Sequence, residues 1–185
     1  MARKLIYSMM VSLDGYIEPP EPSVDWGIID ETIHRFANDE VAELDVALYG
    51  RKLYEVMSFW DKAEEQPDLP DYMRDFARTY TSTPKVVFST TLDAVGPNSR
   101  LVREGAVEEV THLKSAEGGP LGIAGANLAS TMIREGLVDE YRLIVHPVVL
   151  GGGKPFFPPS VPIAELKLLE TKTFPAGHVY LRYQA

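Results

Sequence analysis

Short apolar runs of strand type alternate with apolar residues at helical spacing along most of this chain, and the early strand-type runs stop at a glycine or a small polar residue. The runs are Lys4–Val11, Asp45–Tyr49, Lys85–Phe88 and Leu121–Ala124, and they end at Asp14-Gly15, Gly50, Ser89 and Gly125. Between them, Ile29, Ile33, Phe36, Ala37 and Leu44 share a helical face that Asp30 is placed to cap. Leu53, Val56, Met57 and Trp60 form a second face, Met73, Phe76, Ala77 and Tyr80 a third, and Leu128, Ala129, Met132 and Ile133 a fourth, with Gly136 as its stop. Val107–Leu113 alternates and reads as a further strand. Tyr141–Leu150 is a long β-rich run that Pro147 should bend or confine to an edge. Leu166–Phe174 and Val179–Tyr183 flank Pro175-Ala176-Gly177, a hairpin signal. The pattern predicts an α/β fold with a mixed, mostly parallel central sheet, helices on its faces and an antiparallel hairpin at the C-terminal edge.

A length of 185 residues favours one domain, 1–185, and no linker-like stretch argues for a boundary. The absence of cysteine excludes disulfides, thiolate metal sites and a cysteine nucleophile. The four histidines (His34, His112, His146 and His178) lack metal-ligand spacing, so no metal is expected, and His146 reads as a packed, satisfied strand residue. A net charge of −9 argues against a nucleic-acid partner. No apolar run approaches the roughly 20 residues that span a bilayer. The basic-then-apolar start, Met1 to Tyr7, is cut short by Asp14, Gly15 and Glu18 and reads as a first strand rather than a leader. The expected location is the cytoplasm.

Four turns carry candidate chemistry. Gly125-Ala126-Asn127 follows a strand and opens a helix, where bare N–H groups and the helix dipole suit a phosphate. A tight strand-to-helix turn explains the same residues. Gly50-Arg51-Lys52 repeats the arrangement with two cations that oppose the dipole and so call for a reason. Ser89-Thr90 ends a strand with hydroxyls that suit a phosphate, a ribose or simply a turn. Gly151-Gly152-Gly153-Lys154 is donor-rich but lacks the spacing of a nucleotide-binding loop. It reads as a loop between a strand and the apolar plug Phe156-Phe157.

Taken in order, Val11-Ser12-Leu13-Asp14-Gly15-Tyr16-Ile17, Leu48-Tyr49-Gly50-Arg51-Lys52-Leu53-Tyr54-Glu55 and Gly136-Leu137-Val138-Asp139-Glu140-Tyr141 continuing to Gly151–Phe157 resemble the dihydrofolate-reductase-like superfamily. The resemblance runs from Lys4 to Tyr183. It is nearest to the reductase domain of bacterial bifunctional riboflavin-biosynthesis deaminase-reductases and their stand-alone relatives. It implies a three-layer sheet-and-helix fold, NADPH bound across the carboxyl ends of the strands, hydride transfer to a small heterocyclic or sugar-like substrate, and a homodimer. By position, Gly50, Arg51 and Lys52 would touch cofactor phosphates, and Ser89 and Thr90 the adenosine 2′-phosphate. Gly125, Ala126 and Asn127 would hold the pyrophosphate, while Val11 and the Asp14-Gly15 turn would flank the nicotinamide. Asp14 and Asp30 are the carboxylates it places nearest the substrate. Ile33, His34 and the proline-rich Glu18–Trp26 loop are expected to line the pocket. Leu53, Thr90 and Ala124 depart from the family's usual Thr, Arg and Gly. Leu53 and Thr90 support an alternative, a non-catalytic nucleotide- or ligand-binding protein on the same fold.

Overall fold

A computed structural model describes residues 2–23, 25–159, 161 and 164–185. Met1, in the basic-then-apolar start, and Val24, in the Glu18–Trp26 loop, lie outside the described residues. Among the described residues ten strands form, in chain order β1 (Leu5–Ser12), β2 (Tyr16–Glu18), β3 (Val46–Gly50), β4 (Lys85–Phe88), β5 (Ser99–Val102), β6 (Leu121–Ala124), β7 (Glu140–His146), β8 (Lys154–Pro155), β9 (Lys167–Thr173) and β10 (Val179–Gln184). Five α-helices intervene, α1 (Glu31–Ala42), α2 (Arg51–Met57), α3 (Asp71–Ser82), α4 (Ala106–Ser115) and α5 (Ala126–Arg134).

Eight strands make one sheet in the order β5-β4-β3-β6-β1-β7-β10-β9. The first six run parallel, and only β10 opposes them, pairing antiparallel with both β7 and β9. This is the expected mixed sheet with its C-terminal hairpin at one edge. Its parallel strands are short and buried because helices cover both faces. On one face, Val110 of α4 and Ala129 and Met132 of α5 pack on Leu5, Tyr7, Leu48, Val86 and Ile123. On the other, Phe76 and Tyr80 of α3 and Tyr54 of α2 pack on Ala47, Tyr49 and Val87, while Ile33 of α1 meets Ile144 and Tyr180.

Three sequence expectations fail. Val107–Leu113 lies within α4 rather than a strand. Its apolar residues Val107, Val110 and Leu113 recur every third position and face the core, and Gly105 opens the helix from a left-handed conformation. Pro147 neither bends its strand nor puts it at an edge. The strand ends one residue earlier, at His146, so β7 sits inside the sheet between β1 and β10 with every ladder donor intact. Val56 and Ile29 are half-exposed, so their helical spacing marks no buried face.

The plug expectation divides. Phe156 is buried, stacked on Tyr7 with ring centroids 4.2 Å apart, while Phe157 is partly exposed. The loop before it is pinned by β2–β8 pairing, in which Glu18 opposes Lys154. Gly153 sits there at φ +115°, and a Cβ on it would lie 2.0 Å from the Glu18 carbonyl oxygen. Gly153→Ala should therefore force the two strands apart and cost about 2 kcal/mol. Gly151→Ala is the control, because its Cβ would meet nothing within 4 Å. Chemical denaturation of the two variants checks the contrast, and equal midpoints would contradict it.

Candidate functional site

Because β4, β3, β6, β1 and β7 are parallel neighbours, their carboxyl ends line one rim of the sheet. In open α/β sheets ligands bind at such a rim. Register sets the level of each turn. Gly50 opposes Phe88, and Tyr49 opposes Ala124, so Gly50, Ser89 and Gly125 leave three adjacent strands side by side.

Gly50 and Gly125 are the N-caps of α2 and α5, and neither helix has a side-chain cap. Their first-turn amides are therefore available to an anion. The helix starts touch: a Cβ on Gly125 would lie 3.5 Å from Leu53 Cβ, and one on Gly50 would lie 3.8 Å from Leu128 Cβ. Gly125 holds φ +90°, a conformation that favours glycine, and its N–H donates to Met9 Sδ at 3.4 Å. Arg51 and Lys52 are exposed, and Arg51 has a loose partner in Glu55 at 3.8 Å. Beside α5 lies a cleft of about 280 Å³ lined by Ala126, Asn127, Ser130, Arg134 and Lys154 among others.

Ser89 is buried and its hydroxyl is committed locally, accepting from Thr91 N at 3.2 Å and Leu92 N at 3.0 Å. Thr90 beside it is exposed. Val11 gives its side chain to the core. Past it, Asp14 staples two loops. Its Oδ1 accepts from Ser12 Oγ at 2.6 Å and Leu150 N at 3.0 Å, and its Oδ2 accepts from Gly151 N at 2.7 Å. The Ser12 hydroxyl and then the loop amides hold its carboxyl below the usual range, so it is ionised at neutral pH. Gly15 turns the chain at φ +91°, and its carbonyl accepts from Phe156 N at 2.9 Å.

Asp30 caps α1, accepting from Ile33 N at 2.9 Å. Ile33 does not line a pocket. Ile33 is fully buried against Ile144 and Tyr180. His34 turns toward α3, with Nδ1 3.0 Å from Asn38 Oδ1 and its ring edge-on to Tyr72, Phe76 and Trp60. As adjacent residues they point to different sides of α1, Ile33 to the sheet and His34 to α3.

His146, which the sequence presents as packed and satisfied, is packed but not satisfied. It is 0% exposed at the end of β7, opposite Ser12, and neither ring nitrogen has a hydrogen-bond partner among the described residues. Burial, with a smaller contribution from His178, lowers its pKa to about 4. The only hint in the sequence is a histidine immediately before Pro147 at the end of a parallel strand. Among the described residues no group of three or more His, Asp or Glu is arranged to hold a metal ion, and no helix is long and apolar enough to cross a membrane.

Comparison with known proteins agrees with this architecture. The sequence matches the RibD C-terminal domain family over residues 3–180. It is 36% identical over 182 residues to the uncharacterized protein YyaP of Bacillus subtilis, covering 98% of this chain and 94% of the relative. Among solved structures, a putative riboflavin biosynthesis protein from Shewanella sp. PV-4 superposes with a TM-score of 0.72 at 22% identity, over 100% of this chain and 98% of that one. Dihydrofolate reductase from Enterococcus faecalis, complexed with NADP(H), superposes with a TM-score of 0.64 at 15% identity, over 100% and 98% of the two chains. The mixed α/β sheet is thus of the dihydrofolate-reductase-like kind, and the chain belongs to the RibD C-terminal domain family.

Proposed function

We propose that this protein is an NADPH-dependent reductase acting on a small heterocyclic or sugar-like substrate. The observation that carries the reading is the pair of uncapped helix starts, Gly50 and Gly125, side by side at the carboxyl ends of neighbouring parallel strands with Arg51 and Lys52 beside them. Uncapped first-turn amides of two neighbouring helices, with two cations beside them, suit the phosphates of a dinucleotide. The residues fit a dinucleotide: Gly125, Ala126 and Asn127 take the pyrophosphate, Arg51 and Lys52 supply charge, and Ser89 and Thr90 lie toward the adenosine end. The Val11 main chain and the Asp14-Gly15 turn border the nicotinamide. Hydride donation is the chemistry NADPH supplies when bound, and the protein's part is to bind, orient and exclude water.

The two carboxylates have different parts. Asp14 stays ionised and fixes the loops instead of donating a proton. Asp30 caps α1 through Oδ1, and its Oδ2 has no partner among the described residues, so it is the one we assign to the substrate. The same reading takes the enzyme as a cytoplasmic homodimer, for which the half-exposed Leu168 and Leu169 on β9 offer contact surface.

A non-catalytic binder on this fold is the second reading. Leu53 presents a hydrocarbon to Gly125 where a hydroxyl would serve a phosphate, and the Ser89 hydroxyl is already committed. Titration with NADPH and NADH, followed by nicotinamide fluorescence and melting temperature, separates the cases. Saturable NADPH binding, weakened about tenfold by Arg51→Ala with Lys52→Ala, is expected. Failure of both nucleotides to bind would end the reductase reading. Binding without oxidation across pterins, pyrimidines and carbonyl compounds would leave the binder.

A further inference from the structure

The chain has no cysteine, so its six methionine thioethers are its only sulfur atoms open to oxidation by peroxide. One of them, Met9, stands inside the candidate site. Side chains alternate along β1, so Met9 shares a sheet face with Tyr7 and Val11, the face that α4 and α5 cover. Tyr7 is 0% and Val11 2% exposed, yet Met9 between them is partly exposed. An opening at the rim therefore reaches this one side chain of the row.

What the sulfur touches makes Met9 more than a core contact. Gly125 N–H donates to its Sδ at 3.4 Å. Gly125 is the N-cap of α5, and its carbonyl accepts from Ala129 N at 3.1 Å to open the helix. Met9 thus fixes the peptide from which the Ala126 and Asn127 amides are presented to an anion. A thioether is a weak acceptor, so a small chemical change at sulfur alters the hold. Other methionines lie elsewhere. Met10 packs on the opposite face with Ile33 and Ile144, Met73 beside Ala63 and Leu69, and Met132 is 0% exposed.

We propose that Met9 is a site of reversible oxidation by peroxides, and that its sulfoxide loosens the anion cradle at the start of α5. The consequence for the cofactor rests on the reductase reading. In the step, a sulfur lone pair attacks hydrogen peroxide. An S–O bond forms, the O–O bond breaks, sulfur gives up two electrons, and the second oxygen leaves as water with both protons. Sulfoxide reductases reverse the change at the expense of thiols. The new oxygen has three directions. Toward Gly125 it pushes the N-cap outward, and toward Tyr7 and Val11 it buries an unpaired polar atom. Toward the opening it takes space from the dinucleotide. Each weakens dinucleotide binding, and a bound dinucleotide covers the opening and slows the oxidation.

The test treats the intact protein with hydrogen peroxide, with and without NADP+, and follows each methionine by peptide mass. Met9 is expected to oxidise well before Met132. Saturating NADP+ should slow Met9 about fivefold and leave Met73 unaffected. The oxidised protein should bind NADP+ about tenfold more weakly and recover after treatment with methionine sulfoxide reductases A and B. Met9→Leu, which cannot be oxidised there, should keep its own NADP+ affinity through the same treatment. Met9→Gln, which puts a carbonyl oxygen near the place of the sulfoxide, should bind about tenfold more weakly without peroxide. The proposal is overturned if Met9 oxidises no faster than Met132, if oxidised and untreated protein bind NADP+ alike, or if Met9→Leu loses affinity on treatment as the parent does. If NADP+ fails to bind the parent, the reductase reading falls. The Met9 site is then judged by its oxidation rate and by the Ala129 amide, whose hydrogen exchange should quicken on oxidation, and an unchanged rate there would overturn it.

Discussion

Arg142→Ala will unfold this protein more easily than any surface change, lowering stability by about 3–5 kcal/mol, because it strips the buried cation that bridges Glu140, Glu40 and Glu43. Arg142 is 3% exposed on β7. Its Nε donates to Glu140 Oε1 at 2.7 Å, and its Nη1 donates to Glu40 Oε2 at 2.8 Å and Glu43 Oε2 at 2.9 Å. Glu140, 1% exposed, also accepts from Arg182 Nε at 2.7 Å, and Tyr180 OH donates to Glu40 Oε2 at 2.9 Å. Burial pushes the Glu140 pKa up, but hydrogen bonds and charge from Arg182 and Arg142 outweigh it, so the group is held below its usual value and ionised. Alanine leaves Glu140 to Arg182 and to Lys4 Nζ at 3.4 Å, and gives Glu40 and Glu43 no cation among the described residues of the network. Arg142→Lys should fall between, since one ammonium cannot address both sides as the guanidinium fork does. Thermal melts at pH 7 read the effect, with a fall of roughly 10 °C expected for alanine. A fall under about 2 °C would show that the network is not holding α1 to the sheet.

The second large effect is with pH. His146 titrates near 6.5 when the chain is unfolded and near 4 when folded. The folded state thus binds fewer protons in that interval, and stability falls as pH drops from about 6.5 to about 4. Integrated over the interval, the loss is about 3 kcal/mol. Among the described residues the groups facing His146 are His178 and the uncharged Trp26 and Gly27, and no carboxylate is among them to stabilise an imidazolium. His34, whose pKa burial also lowers, adds to the slope in the same direction. Carboxylates held low, Asp14 and Glu140, act only below their ordinary values of 3.8 and 4.5, and so beneath most of this window. Urea denaturation at pH 7 and pH 4.5 should show the loss in the parent and most of it abolished in His146→Leu. An unchanged slope in that variant would assign the titration elsewhere.

The strand-to-helix turns at Gly50 and Gly125 were legible because a short apolar run, a glycine and a helical face suffice to fix a turn in a parallel sheet. α1, with Asp30 as its cap, was legible for the same local reason. The error at Val107–Leu113 came from β-branched residues whose helical spacing became decisive only once β4 and β5 offered a surface to cover. β5 itself, four residues between the left-handed Asn98 and Gly105, is too short for a pattern. At the rim, the sequence placed Asp14 in a turn but not its two bonds to Leu150 and Gly151, which lie far along the chain. The unpaired state of His146 was equally hidden, since whether a buried nitrogen has a partner depends on what every neighbouring element brings.

The ionic network also divides α1 into unequal ends. Glu40 and Glu43 moor the last turn to β7, while the segment that leads into its first turn is tied by the Ile28 carbonyl to His178. Motion in this region is therefore a matter of fraying from the front. Residues 26–29 are tied to the sheet by fewer polar contacts than the last turn, so local opening is expected at this entry segment before the helix itself gives way.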